Sequence, residues 1–188
     1  MCTIIGRKQE IAELTRRYES GRAEFIAVYG PRRVGKTLLI NEEVGGGMVV
    51  QHTGLSPYDR KRKVSLRSQL QYFQFSLIRH GLEGIAQPTS WMEAFFLLEQ
   101  LLERLDNGSC QVVFIDELPW MDTSRSGFLT ALEAFWNGWG CNRHNLCLVV
   151  CGSATSWMLD NIINNKGGLY GRLTCEMKLS PFTLLENR

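Results

Sequence analysis

The chain has 188 residues, of which 44% are hydrophobic and 21% are charged, and its net charge at pH 7 is +2. These values are close to the averages of globular domains, so they exclude a disordered chain and a fibrous repeat. No apolar run approaches the roughly 20 residues that span a bilayer, and the first residues lack the pattern of a signal peptide. We therefore expect one cytoplasmic domain without a membrane partner.

Helix-forming and strand-forming patterns alternate along the chain. Apolar residues at helical spacing, with start and stop signals, predict helices over residues 8–20, 35–43, 64–80, 91–105 and 127–139. Four apolar runs and a shorter fifth pattern predict strands over residues 25–29, 48–53, 112–115, 146–151 and 177–179. This alternation predicts an α/β fold in which a parallel sheet carries helices on both faces.

The pattern of a phosphate-binding loop follows the first predicted strand. Residues 30–37 read Gly-Pro-Arg-Arg-Val-Gly-Lys-Thr, which matches G-x-x-x-x-G-K-[ST] in full. Glycines let such a backbone curl so that its N–H groups point at phosphates, and the following helix adds its positive end. We expect these residues to contact the nucleotide: Gly30, Pro31, Arg32, Arg33, Val34, Gly35, Lys36, Thr37 and Leu38.

Two residues of this loop have distinct predicted roles. Lys36 is expected to reach the β- and γ-phosphates, and the hydroxyl of Thr37 is expected to ligate Mg²⁺. The alternative is a basic turn between a strand and a helix that binds no ligand. The preceding strand and the following helix are the context that the motif requires, and they favour the phosphate-binding interpretation.

A pair of carboxylates ends the third predicted strand. Asp116 follows an apolar run, and ligands of open α/β sheets gather at the carboxyl ends of such strands. We expect Asp116 to hold Mg²⁺, mainly through water, and Glu117 to orient and polarise the attacking water. The alternative is a strand end that meets solvent, but the complete phosphate loop upstream favours a functional pair.

Polar residues also follow the fourth predicted strand. Ser153 is the first choice, and Thr155 the second, for a contact with the γ-phosphate or with the attacking water. The alternative is that Ser153 caps the next helix, and the two roles are compatible.

A glycine-rich segment over residues 164–172 precedes the fifth predicted strand. Arg172, at its end, could supply positive charge to a γ-phosphate in its own chain or in a neighbouring chain. The alternative is an exposed arginine before a strand.

Taken together, these residues resemble the archaeal-type ATPase family, a branch of the AAA+/STAND-like P-loop NTPases. The resemblance extends over nearly the whole chain and rests on residues 5–10, 29–37, 114–120, 151–153, 169–172 and 179–182. The phosphate loop is generic to P-loop proteins. The sequences Tyr-Gly-Pro-Arg-Arg-Val-Gly-Lys-Thr and Tyr-Gly-Arg are more specific to this family.

The resemblance implies a three-layer P-loop NTPase fold with a mainly parallel, five-stranded sheet. It places the acidic strand one strand away from the phosphate-loop strand, and it places Ile5, Gly6 and Arg7 near the adenine. Ser153 matches a sensor position where many AAA+ proteins carry asparagine. The family usually continues into a helical lid and a winged-helix region. Neither is present in this chain, so we predict a single P-loop ATPase core over residues 1–188, cut from a longer protein.

The resulting hypothesis is an ATPase that converts ATP and water to ADP and phosphate in a Mg²⁺-dependent reaction, with catalytic roles for Lys36, Glu117, Ser153 and Arg172. The cycle would drive a conformational change in attached domains. The alternative is a nucleotide-gated switch that binds ATP or ADP and turns over rarely. DNA, through the domains that this chain lacks, and a homo-oligomer of the full-length protein are the candidate partners.

Overall fold

In the computed structural model, which describes residues 6–57 and 63–181, five strands form one sheet. The strands are β1 (Glu24–Tyr29), β2 (Met48–Thr53), β3 (Gln111–Asp116), β4 (Leu146–Gly152) and β5 (Cys175–Lys178). Their order is β2-β3-β4-β1-β5, and every neighbouring pair is parallel. The predicted five-stranded parallel sheet is therefore confirmed.

The helices connect these strands in the predicted order. They are α1 (Lys8–Tyr18), α2 (Lys36–Val44), α3 (Leu66–Arg79), α4 (Trp91–Arg104), α5 (Phe128–Gly138) and α6 (Thr155–Met158), which continues into a π-helical turn at Leu159–Ile163. The first five agree with the predicted helices to within two residues at each end. Among the described helices, none is long and apolar enough to cross a membrane.

Two separate apolar clusters cover the two faces of the sheet. Alternate residues of β1 belong to different clusters, with Phe25 and Ala27 on one side and Ile26 and Val28 on the other. The first cluster packs α3, α4 and α5 onto the sheet, and the second packs α1 and α2. Because β1, β3 and β4 are buried along their whole length, they carry apolar runs rather than an alternating pattern.

The strand order determines where a ligand can bind. β4 lies between β1, which leads into the phosphate loop, and β3, which ends in the two carboxylates. This arrangement is the one that the resemblance implies. The carboxyl ends of all five strands share one edge of the sheet, which we call the carboxyl edge. The opposite edge is the amino edge.

The last strand closes the fold against the phosphate loop. The N–H of Leu179 donates to the carbonyl oxygen of Tyr29 at 2.8 Å, and the Tyr29 hydroxyl donates to Glu176 at 2.7 Å. A Cβ atom at Gly30 would lie 2.0 Å from the carbonyl oxygen of Leu179, and Gly30 has φ +143°. Only glycine fits at this position, both for its backbone conformation and for the space available.

Candidate active site

The phosphate loop curls around the start of α2. Arg33 and Gly35 both have left-handed backbone conformations, with φ values of 64° and 86°. The buried Lys36 folds its ammonium group back onto the loop, where Nζ donates to the carbonyl oxygens of Gly30 at 2.8 Å and Pro31 at 2.6 Å. Val34 is buried in the α1–α2 cluster, so its side chain anchors the loop to the core.

Thr37 and Asp116 meet across the gap between the phosphate loop and β3. The Thr37 hydroxyl donates to Oδ2 of Asp116 at 2.8 Å, and the other carboxylate oxygen, Oδ1, accepts the Glu117 N–H at 2.8 Å. A hydroxyl and a carboxylate are hard oxygen ligands of the kind that Mg²⁺ prefers. The two residues predicted to hold the metal therefore lie together, with donor chemistry that fits it.

Glu117 has an unusual backbone conformation at the end of β3. Its φ and ψ are 48° and 45°, a left-handed conformation that costs about 1 kcal/mol or more for a residue other than glycine. Gly54 makes room for this turn, because a Cβ there would lie 2.8 Å from the Glu117 carbonyl oxygen. Sequence reasoning missed Gly54, although a glycine directly after a predicted strand is a signal of close backbone approach.

Ser153 holds the Glu117 side chain. Its hydroxyl lies 3.0 and 2.8 Å from the two carboxylate oxygens of Glu117, and its N–H donates to Oε2 at 3.3 Å. The alternative in which Ser153 caps the next helix is wrong. The N-cap residue of α6 is Ala154, and no side chain caps this helix.

Arg32 extends the same group of contacts toward solvent. Its Nε donates to the Ser153 hydroxyl oxygen at 3.4 Å, and its guanidinium carbon lies 5.4 Å from the centre of the Trp120 ring. Trp120 belongs to a short 3₁₀ turn, Leu118–Trp120, that directly follows Glu117. No predicted role in the site falls on Trp120, but the structure places it at the wall of the cleft.

These groups line an open cleft of about 410 Å³ at the carboxyl edge. The cleft is bounded by Arg32, Arg33, Gly35, Lys36, Thr37, Leu38, Asp116, Glu117 and Trp120. All except Trp120 are predicted site residues. At the end of the neighbouring strand, burial and the Asp116 charge raise the pKa of the Cys151 thiol, so this cysteine stays neutral beside the site.

The segment predicted to lie near the adenine touches the back of the phosphate loop. The buried Arg7 donates to the Val34 carbonyl oxygen at 3.3 Å and also to the carbonyl oxygen of Ser180, and it pairs with Glu10 at 3.3 Å. Gly6 precedes it with a φ of 84°, and Ile5 lies outside the described residues. Contact of this segment with adenine stays a prediction.

Arg172 lies away from the cleft. It is exposed, and the nearby Thr174 donates its N–H to the carbonyl oxygen of Phe25 at the start of β1. The phosphate loop begins at the other end of β1, about 17 Å further along a strand of this length. Arg172 therefore does not line the cleft, and its role toward a γ-phosphate of its own or a neighbouring chain stays a prediction.

Comparisons with known proteins found a matching family model and several similar proteins. A family model described as an ATPase domain predominantly from Archaea matches residues 4–187. An uncharacterized protein of Methanocaldococcus jannaschii is 24% identical over 178 residues, which are 95% of this chain and 36% of that protein. An uncharacterized ATP-binding protein of the same organism is 45% identical over 39 residues, which are 21% of this chain and 66% of that protein.

Two solved structures share the fold. The Walker-type ATPase of Pyrococcus abyssi is 19% identical with a TM-score of 0.68, over 97% of this chain and 55% of that chain. The ORC2 protein of Aeropyrum pernix, solved as ADPNP and ADP complexes, is 17% identical with a TM-score of 0.64, over 99% of this chain and 52% of that chain. The chain thus spans about half of each of these structures and about a third of the longer archaeal relative.

Proposed function

The chain belongs to the family of ATPase domains found predominantly in Archaea, and we propose that it binds ATP with Mg²⁺ in the cleft at the carboxyl edge and hydrolyses it. One observation carries this proposal. The phosphate loop and the acidic strand are 79 residues apart in sequence, yet the Thr37 hydroxyl and the Asp116 carboxylate are joined at 2.8 Å. These two oxygen groups are the ones that would hold Mg²⁺, whose charge would offset the negative charge of the phosphates.

Different residues of the cleft bind the phosphates and the metal. Backbone N–H groups of the phosphate loop, through their partial positive charge, and the ammonium of Lys36, through its full charge, bind the phosphates, since both line the same concave surface. Thr37 and Asp116 would hold Mg²⁺, which neutralises negative charge on the phosphate oxygens. Their hydrogen bond supports this assignment, because it brings the two oxygen groups together.

Glu117 is the base in this proposal. A water molecule attacks the γ-phosphorus as the bond to the β-phosphate oxygen breaks, and Glu117 accepts the proton that the water loses. The strained backbone of Glu117 supports this role, because such conformations persist where the surrounding structure holds a residue for function.

A second candidate function, the nucleotide-gated switch with rare turnover, is favoured by the contact between Ser153 and Glu117. Both carboxylate oxygens of Glu117 lie within 3.0 Å of the Ser153 hydroxyl. A carboxylate engaged in this way is less available to a water molecule. Both candidates use the same cleft and differ in the rate of hydrolysis.

Thermal melting with ATP, ADP and GTP in Mg²⁺ tests the binding that both functions share, and a phosphate-release assay measures the hydrolysis rate in which they differ. A ligand at a hundredfold excess over its Kd stabilises the fold by about 2.7 kcal/mol. For a domain of this size that raises the Tm by roughly 5–11 °C. We expect such a rise with ATP and ADP, a smaller one with GTP, and slow phosphate release. No rise with any nucleotide would overturn the proposal.

The activity of the longer protein is a further part of the proposal. The longer archaeal relative and the two solved structures extend well beyond the matched region. We propose that a lid and additional domains adjoin the ATPase core, that hydrolysis moves them, and that DNA and a homo-oligomer are their partners. Turnover of the full-length protein with and without DNA tests this part.

A further inference from the structure

We propose that Arg32 discriminates ATP from ADP and that it reports the γ-phosphate to Glu117 through Ser153. This inference rests on the proposed function and assigns a specific task to one residue of the phosphate loop. It starts from three contacts that link elements far apart in sequence. They join Trp120 to Arg32, Arg32 to Ser153, and Ser153 to Glu117.

Arg32 is a cation that keeps spare hydrogen-bond donors. Its guanidinium makes one long hydrogen bond, 3.4 Å to a neutral hydroxyl, and it rests on the Trp120 ring at 5.4 Å. Within residues 6–57 and 63–181, no ion pair involves Arg32. An arginine has five N–H donors, so an anionic partner with several oxygen atoms would bind it better than these two contacts do.

The Ser153 hydroxyl links Arg32 to Glu117. A hydroxyl has one hydrogen to donate, and here it faces the two carboxylate oxygens of Glu117 at 3.0 and 2.8 Å. The same oxygen accepts from Arg32. A donor that is itself hydrogen-bonded to a cation is polarised and binds a carboxylate more strongly. Arg32 therefore strengthens the hold of Ser153 on Glu117.

A bound γ-phosphate would weaken the hold of Ser153 on Glu117. Arg32 belongs to the phosphate loop and lines the same cleft as Lys36, Thr37 and Glu117, so its guanidinium is within the region that a third phosphate would enter. When the guanidinium turns to the γ-phosphate, Ser153 loses its polarising donor and Glu117 becomes available to the attacking water. ADP has no γ-phosphate, so it leaves Arg32 on Trp120 and Glu117 on Ser153.

The first test measures affinity for ADP and for the imido analogue of ATP by calorimetry. Arg32→Gln should bind ADP within twofold of the unaltered protein and the analogue about 5- to 10-fold more weakly, with Arg32→Lys between the two. Arg143→Gln is the matched control, because Arg143 stacks on Trp139 at 4.9 Å at the amino edge. It should change neither affinity by more than twofold.

The outcomes separate this inference from the proposed function. If the unaltered protein binds neither nucleotide, the proposed function is wrong. If it binds both, and Arg32→Gln weakens both equally or neither, the proposed function stands and the assignment to Arg32 is overturned.

The second test follows Trp120 and the coupling to Ser153. The analogue should change tryptophan fluorescence and ADP should not, and the change should disappear in Trp120→Phe and in Arg32→Gln but persist in Arg143→Gln. In a double-mutant cycle, the change in kcat caused by Arg32→Gln should be at least threefold smaller in the Ser153→Ala background, where Glu117 has no hydroxyl to hold it. Equal fluorescence responses to the two nucleotides, or strictly additive changes in kcat, would overturn the link.

Discussion

The two edges of the sheet each carry an arginine stacked on a tryptophan, and the two pairs are built differently. At the amino edge, Arg143 lies over Trp139 and also forms an ion pair with Asp106, while the Trp139 indole donates to Glu103 at 2.9 Å. At the carboxyl edge, Arg32 lies over Trp120 and donates to the Ser153 hydroxyl. Among residues 6–57 and 63–181, a carboxylate pairs with Arg143 and none pairs with Arg32.

From this difference we infer that the arginine–tryptophan pair stabilises the fold at the amino edge and takes part in ligand binding at the carboxyl edge. The ion pairs of Glu24 and Asp106 lie at the amino edge, where strands and turns must be held together. The carboxyl edge combines a strained glutamate with cations that have spare donors. We expect substitutions at the carboxyl edge to change nucleotide chemistry and substitutions at the amino edge to change stability.

The largest effect should come from Glu117→Gln at the carboxyl edge. This change keeps the shape of the side chain and removes the base, so turnover of the full-length protein should fall by about 100-fold or more while ATP binding stays within a few fold. Phosphate release and calorimetry measure the two quantities. Equal turnover in the two proteins would move the role of base to another residue.

Lys36→Ala should have the next largest effect. Loss of an ammonium that lies inside the phosphate loop should weaken ATP·Mg²⁺ binding by more than about tenfold, or about 1.4 kcal/mol. The Tm without nucleotide should change little, since the Lys36 ammonium contacts loop carbonyls and not the apolar core. Calorimetry that gives unaltered affinity would show that this loop is not the binding site.

Glu24→Gln, at the amino edge, should lower the stability of the protein and leave its ATP affinity unchanged. Burial alone would raise the pKa of Glu24, but hydrogen bonds from Thr174, Arg22 and Arg17 outweigh it and lower the pKa below its ordinary value. A lowered folded-state pKa stabilises the protein above the unfolded-state pKa, near 4.3, and this stability is lost as the pH falls through the folded-state pKa.

At pH 7, Glu24→Gln should therefore lower stability by about 1 kcal/mol and the Tm by about 2–4 °C. The difference between the two proteins should shrink as the pH falls below about 4. Thermal melts at several pH values measure both, with ATP affinity as the control that should not change. A stability difference that persists unchanged at pH 3 would contradict the ion-pair explanation.

Arg172→Ala should have the smallest effect on nucleotide binding. Because Arg172 lies at the amino edge, ATP affinity of the same chain should stay within twofold. If Arg172 acts on a neighbouring chain, turnover per chain should rise with protein concentration, and the substitution should abolish that rise. Constant specific activity over a dilution series would leave Arg172 as a surface residue.

The sheet, the helices and the meeting of the phosphate loop with Asp116 could be predicted from the sequence, for two physical reasons. Strands buried on both faces need apolar runs, and a phosphate loop needs glycine, lysine and threonine at fixed spacing, so residues 112–115 and 30–37 carry strong local patterns. Asp116 is expected beside Thr37 because parallel strands all end at the same edge of the sheet, and both residues follow the end of a predicted strand.

The features that the sequence did not reveal depend on contacts between distant segments. Gly54 is required because the Glu117 backbone passes close to it, and Trp120 contacts Arg32 of the phosphate loop. No sequence pattern predicts the hydrogen bond from Ser153 to Glu117, which directly follows another strand, and a contact of Ser153 with the γ-phosphate or the attacking water stays a prediction. None of these partners lies within a sequence window that a local pattern can report.

The close approach of Gly30 to Leu179 bears on how the chain folds during its synthesis. The two residues are in contact, and Arg7 bonds to Ser180 across 173 residues of sequence. At about 5–20 residues per second, a ribosome needs roughly 8–30 s to pass from one contact residue to the other. During that interval the phosphate loop lacks the segment that packs against it, so we expect the loop to reach its final conformation only after β5 has emerged from the ribosome.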